Sequence, residues 1–117
     1  ISFLGEGTLH GLTIRQRGPG KWFGVHCATG APGIKGCVLD GATSSCMGVC
    51  SGASPNVTGC TIAHSFTGCG VCVFDGGLGT FEGNTITDNA MSGVEVSGEG
   101  TSVTLTTNEI YGNKGDG

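Results

Sequence analysis

Apolar residues return along this chain at a nearly constant interval. Leu9 and Ile14, Ile34 and Leu39, Val57 and Ile62, Phe81 and Ile86, and Leu105 and Ile110 form five pairs with members five residues apart, and the second members advance by 25, 23, 24 and 24 residues. A second marker, Gly-Val at Gly24-Val25, Gly48-Val49, Gly70-Val71 and Gly93-Val94, advances by 24, 22 and 23. Within each copy the apolar positions alternate with small or polar ones, as in Val94 and Val96 or in "VTLTTNEI", which is the two-residue period of strands. No stretch keeps a helical period. Self-similarity at roughly 20 to 50 residues marks a repeat architecture.

A repeat of about 24 residues, made of strands of three to six residues and Gly-rich corners, closes one coil of a solenoid. Its successive coils stack as parallel strands about 4.8 Å apart. The pattern therefore predicts an all-β protein, a single-stranded parallel β-helix of about five turns of 23–24 residues, forming one domain over residues 1–117. In such a coil each side chain lies over its counterpart one turn earlier, so the repeated phrase is expected to form one wall. The column ahead of the second apolar residue reads Leu12, Cys37, Cys60, Asn84 and Asn108. Inward Asn side chains on neighbouring turns form amide ladders, so Asn84 and Asn108 are expected to be buried. Gly11, Gly36, Gly59 and Gly83 fall one step earlier, where the strand bends or needs a positive φ, and Thr107 interrupts that series. Val25, Val49, Val71 and Val94 are expected inside, which leaves His26, Cys50, Cys72 and Glu95 as an outward column.

Composition narrows the function more than the fold. Glycine supplies 25 residues and charged residues only 12%. Nine acids against five bases give a net charge of −4, and the basic stripe that binds nucleic acid is missing. No run of about 18 apolar residues offers a membrane span, and no basic segment followed by an apolar one opens the chain as a signal. The compartment stays open, with a lean to the intracellular side. Neither end carries a recognisable cap, so both ends are expected to continue in a longer solenoid or to be covered by another chain. Protein partners stacking on those ends are the expected company.

The segments "GNTITDNAMSGVEV" and "TNEIYGNKGDG" carry an Asn-x-Ile, Gly-Asn and Gly-Val pattern. In this the chain resembles the right-handed parallel β-helix repeats of carbohydrate-active enzymes and of the substrate-receiving domains of some F-box-only proteins, over roughly residues 8 to 117. The resemblance implies a right-handed coil. It says little about function, since the shared letters are those that build the coil.

Seven cysteines are many for 117 residues. Cys46-x3-Cys50 and Cys69-x2-Cys72 have the look of a four-thiolate zinc site. The repeat offers a plainer account: Cys37 falls near Cys60, Cys46 near Cys69 and Cys50 near Cys72 on adjacent turns, and Cys fills inward columns as a small apolar residue. Buried free thiols are therefore expected ahead of disulfides or metal, no cofactor is expected, and Cys50 and Cys72, outward beside His26, are the thiols expected to differ. "GGLG" at 76 to 79 occurs once and lacks the Asp of a calcium-binding repeat. "GPGKWFG" at 18 to 24 lacks the ending of a phosphate loop and reads as a loop whose Trp22 and Phe23 cover an end or a wall. "NVT" at 56 to 58 fits a glycosylation acceptor, with Asn56 outward and Val57 inward.

One polar strip runs up the coil after the second apolar column: Arg15, Gln16 and Arg17, then Asp40, then His64 and Ser65, then Asp88 and Asn89. His64 and Asp88, one turn apart, are expected to hydrogen-bond. Asp40 and Asp88, two turns apart, would be separated by about 9.6 Å, near the upper end of the roughly 6.5–9.5 Å between carboxylates that activate water across a sugar ring. Corners favour Asp, Asn and Ser for backbone reasons alone, and no column is rich in carboxylates. The leading expectation is a noncatalytic scaffold or protein-binding module, with Arg15, Arg17, Asp40, His64 and Asp88 as binding residues. The alternative is a fragment of a carbohydrate-active enzyme binding a polysaccharide, with Asp40, His64 and Asp88 as its catalytic candidates.

Overall fold

Each repeat places most of its β-branched residues in three short strands and most of its glycines between them. The computed structural model describes the backbone of residues 2–4 together with residues 7–17, 20 and 22–114. The first rung holds β1 (Ser2–Leu4), β2 (Thr8–His10) and β3 (Thr13–Ile14). The second holds β4 (Val25–Thr29), β5 (Gly33–Lys35) and β6 (Val38–Ala42), and the third β7 (Met47–Val49), β8 (Asn56–Thr58) and β9 (Thr61–Ser65). The fourth holds β10 (Val71–Val73), β11 (Thr80–Glu82) and β12 (Thr85–Thr87), and the fifth β13 (Val94–Val96), β14 (Thr104–Thr106) and β15 (Glu109–Tyr111). There is no helix among the described residues, and so none long and apolar enough to cross a membrane.

Strands of successive rungs pair in parallel into three five-stranded sheets, β1-β4-β7-β10-β13, β2-β5-β8-β11-β14 and β3-β6-β9-β12-β15. In the third sheet Ile14, Leu39, Ile62, Ile86 and Ile110 are direct partners in order. In the second, Leu9, Ile34, Val57, Phe81 and Leu105 are. Both columns point inward, and Ile34, Val57, Phe81, Leu39, Ile62 and Ile86 are at most 1% exposed. Burying each such side chain contributes about 1.5–3 kcal/mol. The apolar pairs five residues apart thus lie on two walls, not one. Between them the chain turns at Gly11, Gly36, Gly59 and Gly83, with φ of 68°, 58°, 62° and 64°. Thr107 takes the same corner at 52°, so it continues the series that its side chain seemed to break.

The first sheet departs from the expected register. Val25 pairs with Met47, which pairs with Val71 and then Val94, while Val49 stands between Cys27 and Val73. The Gly-Val marker slips by two residues at Gly48, because only 22 residues separate Val25 from Met47. A two-residue slip preserves parity, so Val25, Val49 and Val71 still face inward at 0% exposure, and Val94 packs partly buried against the same core. The outward column becomes His26, Gly48, Cys72 and Glu95, with Gly48 where Cys50 was expected.

Asn84 and Asn108 stack as a ladder, and Asn84 is 1% exposed. Asn84 Nδ2 donates to Asn108 Oδ1 at 2.9 Å and to the Val57 carbonyl at 3.0 Å, and its Oδ1 accepts from Cys60 N at 2.8 Å. Asn108, which is partly exposed, donates to the Phe81 carbonyl at 2.8 Å. A second ladder, unforeseen in the sequence, joins Asn89 to Asn113. Asn89 Nδ2 donates to Asn113 Oδ1 at 2.9 Å, and Asn89 Oδ1 accepts from Ser65 N at 3.0 Å. Asn89 and Ser65 are therefore inward, at 1% and 6% exposure, and do not belong to the polar strip.

Candidate functional site

The strip's chemistry gathers where β3, β6 and β9 end. Leu39 faces the core, so Asp40, one residue later, faces out, directly over Arg15 by extension of the Ile14–Leu39 pairing. His64 stands two residues after the inward Ile62, a position that strict alternation would turn inside. Its φ of 63° swings it outward instead. Asp40 then takes both neighbours. Arg15 Nε and Nη2 reach Asp40 Oδ2 at 3.0 and 2.9 Å, and His64 Nδ1 lies 2.6 Å from Asp40 Oδ1. The hydrogen bond from His64, followed by that from Arg15, holds the Asp40 carboxyl below the usual carboxylate range.

This corrects the expected partner of His64, which is Asp40 and not Asp88. Only the backbone links His64 to Asp88, through His64 N donating to the Asp88 carbonyl at 3.2 Å. Asp88 is exposed with φ 54°, and its Oδ1 lies 2.9 Å from where a Cβ on Gly112 would stand, toward the fifth rung. The Asp40 carboxylate is engaged by Arg15 and His64, while that of Asp88 lies toward the fifth rung.

Beside the Arg15–Asp40–His64 chain lies an open cleft of about 590 Å³ lined by Gln16, Arg17, Asp40, Gly41, Ala42, Thr43, His64 and Phe66. Gln16 is fixed in its wall: its Oε1 accepts from Thr43 N at 2.8 Å and from Thr43 Oγ1 at 2.7 Å. Thr43 in turn accepts from Trp22 N at 2.9 Å. Phe66 is 80% exposed and Trp22 63%. Thr43 and Phe66 were missed in the sequence. The available signal was a bulky Phe in a corner column whose other members, one rung either side, are Thr43 and Ala90. Of the five predicted binding residues, Arg15 and His64 each contact Asp40, Arg17 lines the same cleft, and Asp88 is not among the cleft's lining residues.

All seven cysteines are free thiols, six of them buried and Cys72 half-buried. Among the described residues no group of three or more His, Cys, Asp or Glu side chains is arranged to hold a metal ion. Cys60 Sγ donates to the Ile34 carbonyl at 3.4 Å, the rung-below equivalent of the bonds from Asn84 to Val57 and from Asn108 to Phe81. The thiol thus continues the amide ladder in weaker form. Phe23 lies on the outer wall of the first sheet, as the loop reading expected of it, while residues 18, 19 and 21 of that loop and 115–117 lie outside the described residues. Asn56 is exposed and Val57 buried, as alternation predicted.

The chain belongs to the right-handed β-helix family: the model described as a right handed beta helix region matches residues 24–117. That membership gives the coil its hand. Searches among curated proteins and among solved structures returned no match to this chain.

Proposed function

We propose that this β-helix is a noncatalytic binding module that docks a protein partner at the cleft beside Arg15, Asp40 and His64. The observation that carries this reading is the pairing of an almost fully exposed Phe66 with a cleft whose one carboxylate is already taken. Asp40 is occupied by Arg15 and His64 together, which leaves the cleft with apolar walls, a fixed amide in Gln16 and the Arg17 guanidinium at the rim. Exposed aromatics and arginines are the residues that anchor protein interfaces. Phe66→Asp is expected to abolish recovery of a partner by the immobilised protein while leaving thermal unfolding within a degree or two of wild type. Equal recovery by both proteins would end the reading.

A second reading rests on the 2.6 Å His64–Asp40 bond, which orients a histidine at the cleft as in a general base. On that reading the ligand is a polysaccharide and His64→Ala eliminates its turnover. Incubation with acidic polysaccharides, followed by product analysis, separates the two. Turnover by wild type that is lost in His64→Ala favours the enzyme, and no turnover favours the binding module.

A further inference from the structure

A second cluster lies on the outer wall of the first sheet, away from the cleft. Phe23 folds back over Gly48, where a Cβ would come within 2.6 Å of its ring, so the glycine is what lets the ring lie against the wall. The Phe23 ring centre is 5.4 Å from that of His26 and 6.1 Å from that of Phe74. Against this aromatic cover His26 Nε2 lies 3.4 Å from Cys50 Sγ, and Cys50 is 7% exposed.

The other thiols have different company. Cys37, Cys46 and Cys60 donate to backbone carbonyls, which accept a hydrogen bond but are not bases. Cys69 faces the Glu95 carboxylate at 3.9 Å, whose charge opposes a thiolate. Burial pushes Cys27 up to about 12, and burial together with Glu95 pushes Cys72 up to about 11. Among the described residues Cys50 alone is hydrogen-bonded to an imidazole, the arrangement by which a protein turns a thiol into a nucleophile.

We propose that Cys50 and His26 form a nucleophilic pair that captures small uncharged electrophiles, with hydrogen peroxide as the substrate class. Cys50 Sγ attacks one peroxide oxygen, the O–O bond breaks, and its electron pair leaves with the other oxygen. The thiol proton, taken up by His26 Nε2, passes to that leaving oxygen. The products are the sulfenic acid of Cys50 and one water, with sulfur oxidised by two electrons and peroxide reduced by two. The slight exposure of Cys50 restricts the reaction to reagents of this size.

The test treats the folded whole chain with hydrogen peroxide, removes the excess with catalase, then adds dimedone, which traps sulfenic acids, together with urea so that it reaches buried sites, and maps adducts by mass spectrometry. Cys50 is expected to react about ten-fold faster than Cys72, the most exposed of the other thiols, and His26→Gln to slow Cys50 by about ten-fold while leaving Cys72 unchanged. With urea already present during the peroxide step, all seven thiols should react alike. The Cys50 to Cys72 ratio in wild type needs no substitution to fold. The proposal is overturned if Cys72 is modified first in the native protein, or if folded His26→Gln reacts at Cys50 as fast as wild type.

Discussion

Asn84 shows how one side chain can serve three rungs. It accepts from the Cys60 amide, donates to the Val57 carbonyl, and donates to Asn108, all while 1% exposed. Asn84→Ala strands a buried amide and a buried carbonyl, so urea denaturation should register a loss of about 1–3 kcal/mol. Thr87 poses the opposite case. Its hydroxyl is buried with no hydrogen-bond partner, so Thr87→Val, which keeps the shape and removes the orphan, should raise stability by about 1 kcal/mol in the same assay. Asp40 makes stability depend on pH. Its folded pKa is held below its unfolded value, so the stabilisation is complete above about pH 4 and is lost as pH falls through the folded pKa. Melting temperatures of wild type and Asp40→Asn should differ at neutral pH and converge in acid. A difference that persists undiminished at low pH would show that the carboxyl's shift is not its cause.

At the scale of the strand and its corner, alternation and period were legible, and dihedral angle was not. Every residue of the Leu9 and Ile14 columns was placed by spacing, because inward stacking forces like residues onto one line. The partner of His64 was not, because Asp40 and Asp88 stand equally 24 residues from it and spacing does not choose between them. Asn89 was misassigned because Asp88 before it takes a φ of 54°, and the ladder follows the turned chain inward. The slip at Gly48 escaped because Gly-Val recurs there in the wrong phase, and only the contact with Phe23 shows what that glycine is for. Thr107 leads to a prediction at this scale. A β-branched residue at φ 52° costs about 1–2 kcal/mol, part of which glycine returns as unfolded-chain entropy. Thr107→Gly should therefore raise the denaturation midpoint slightly, and Gly83→Ala, at the equivalent corner, should lower it.

Across the whole molecule, burial is graded along the coil axis. The third and fourth rungs enclose Val57, Ile62, Val71, Val73, Phe81 and Ile86 completely, while in the fifth Val96 and Leu105 stay 43% and 45% exposed. Amide hydrogen exchange should follow that gradient, with β8, β9, β11 and β12 slowest and β14 fastest; uniform exchange would contradict it. The two chemical clusters stand on different sheets, the cleft at the third and the Cys50–His26 pair at the first, so either can be altered without touching the other. Because the paired columns repeat at 23 to 25 residues, coil count is itself a quantity that can be varied. Excising one complete period, such as residues 60–83, would close Thr58 and Gly59 onto Asn84 in unbroken phase and yield a shorter cylinder, whereas removing half a period would set every interior residue against the wrong wall.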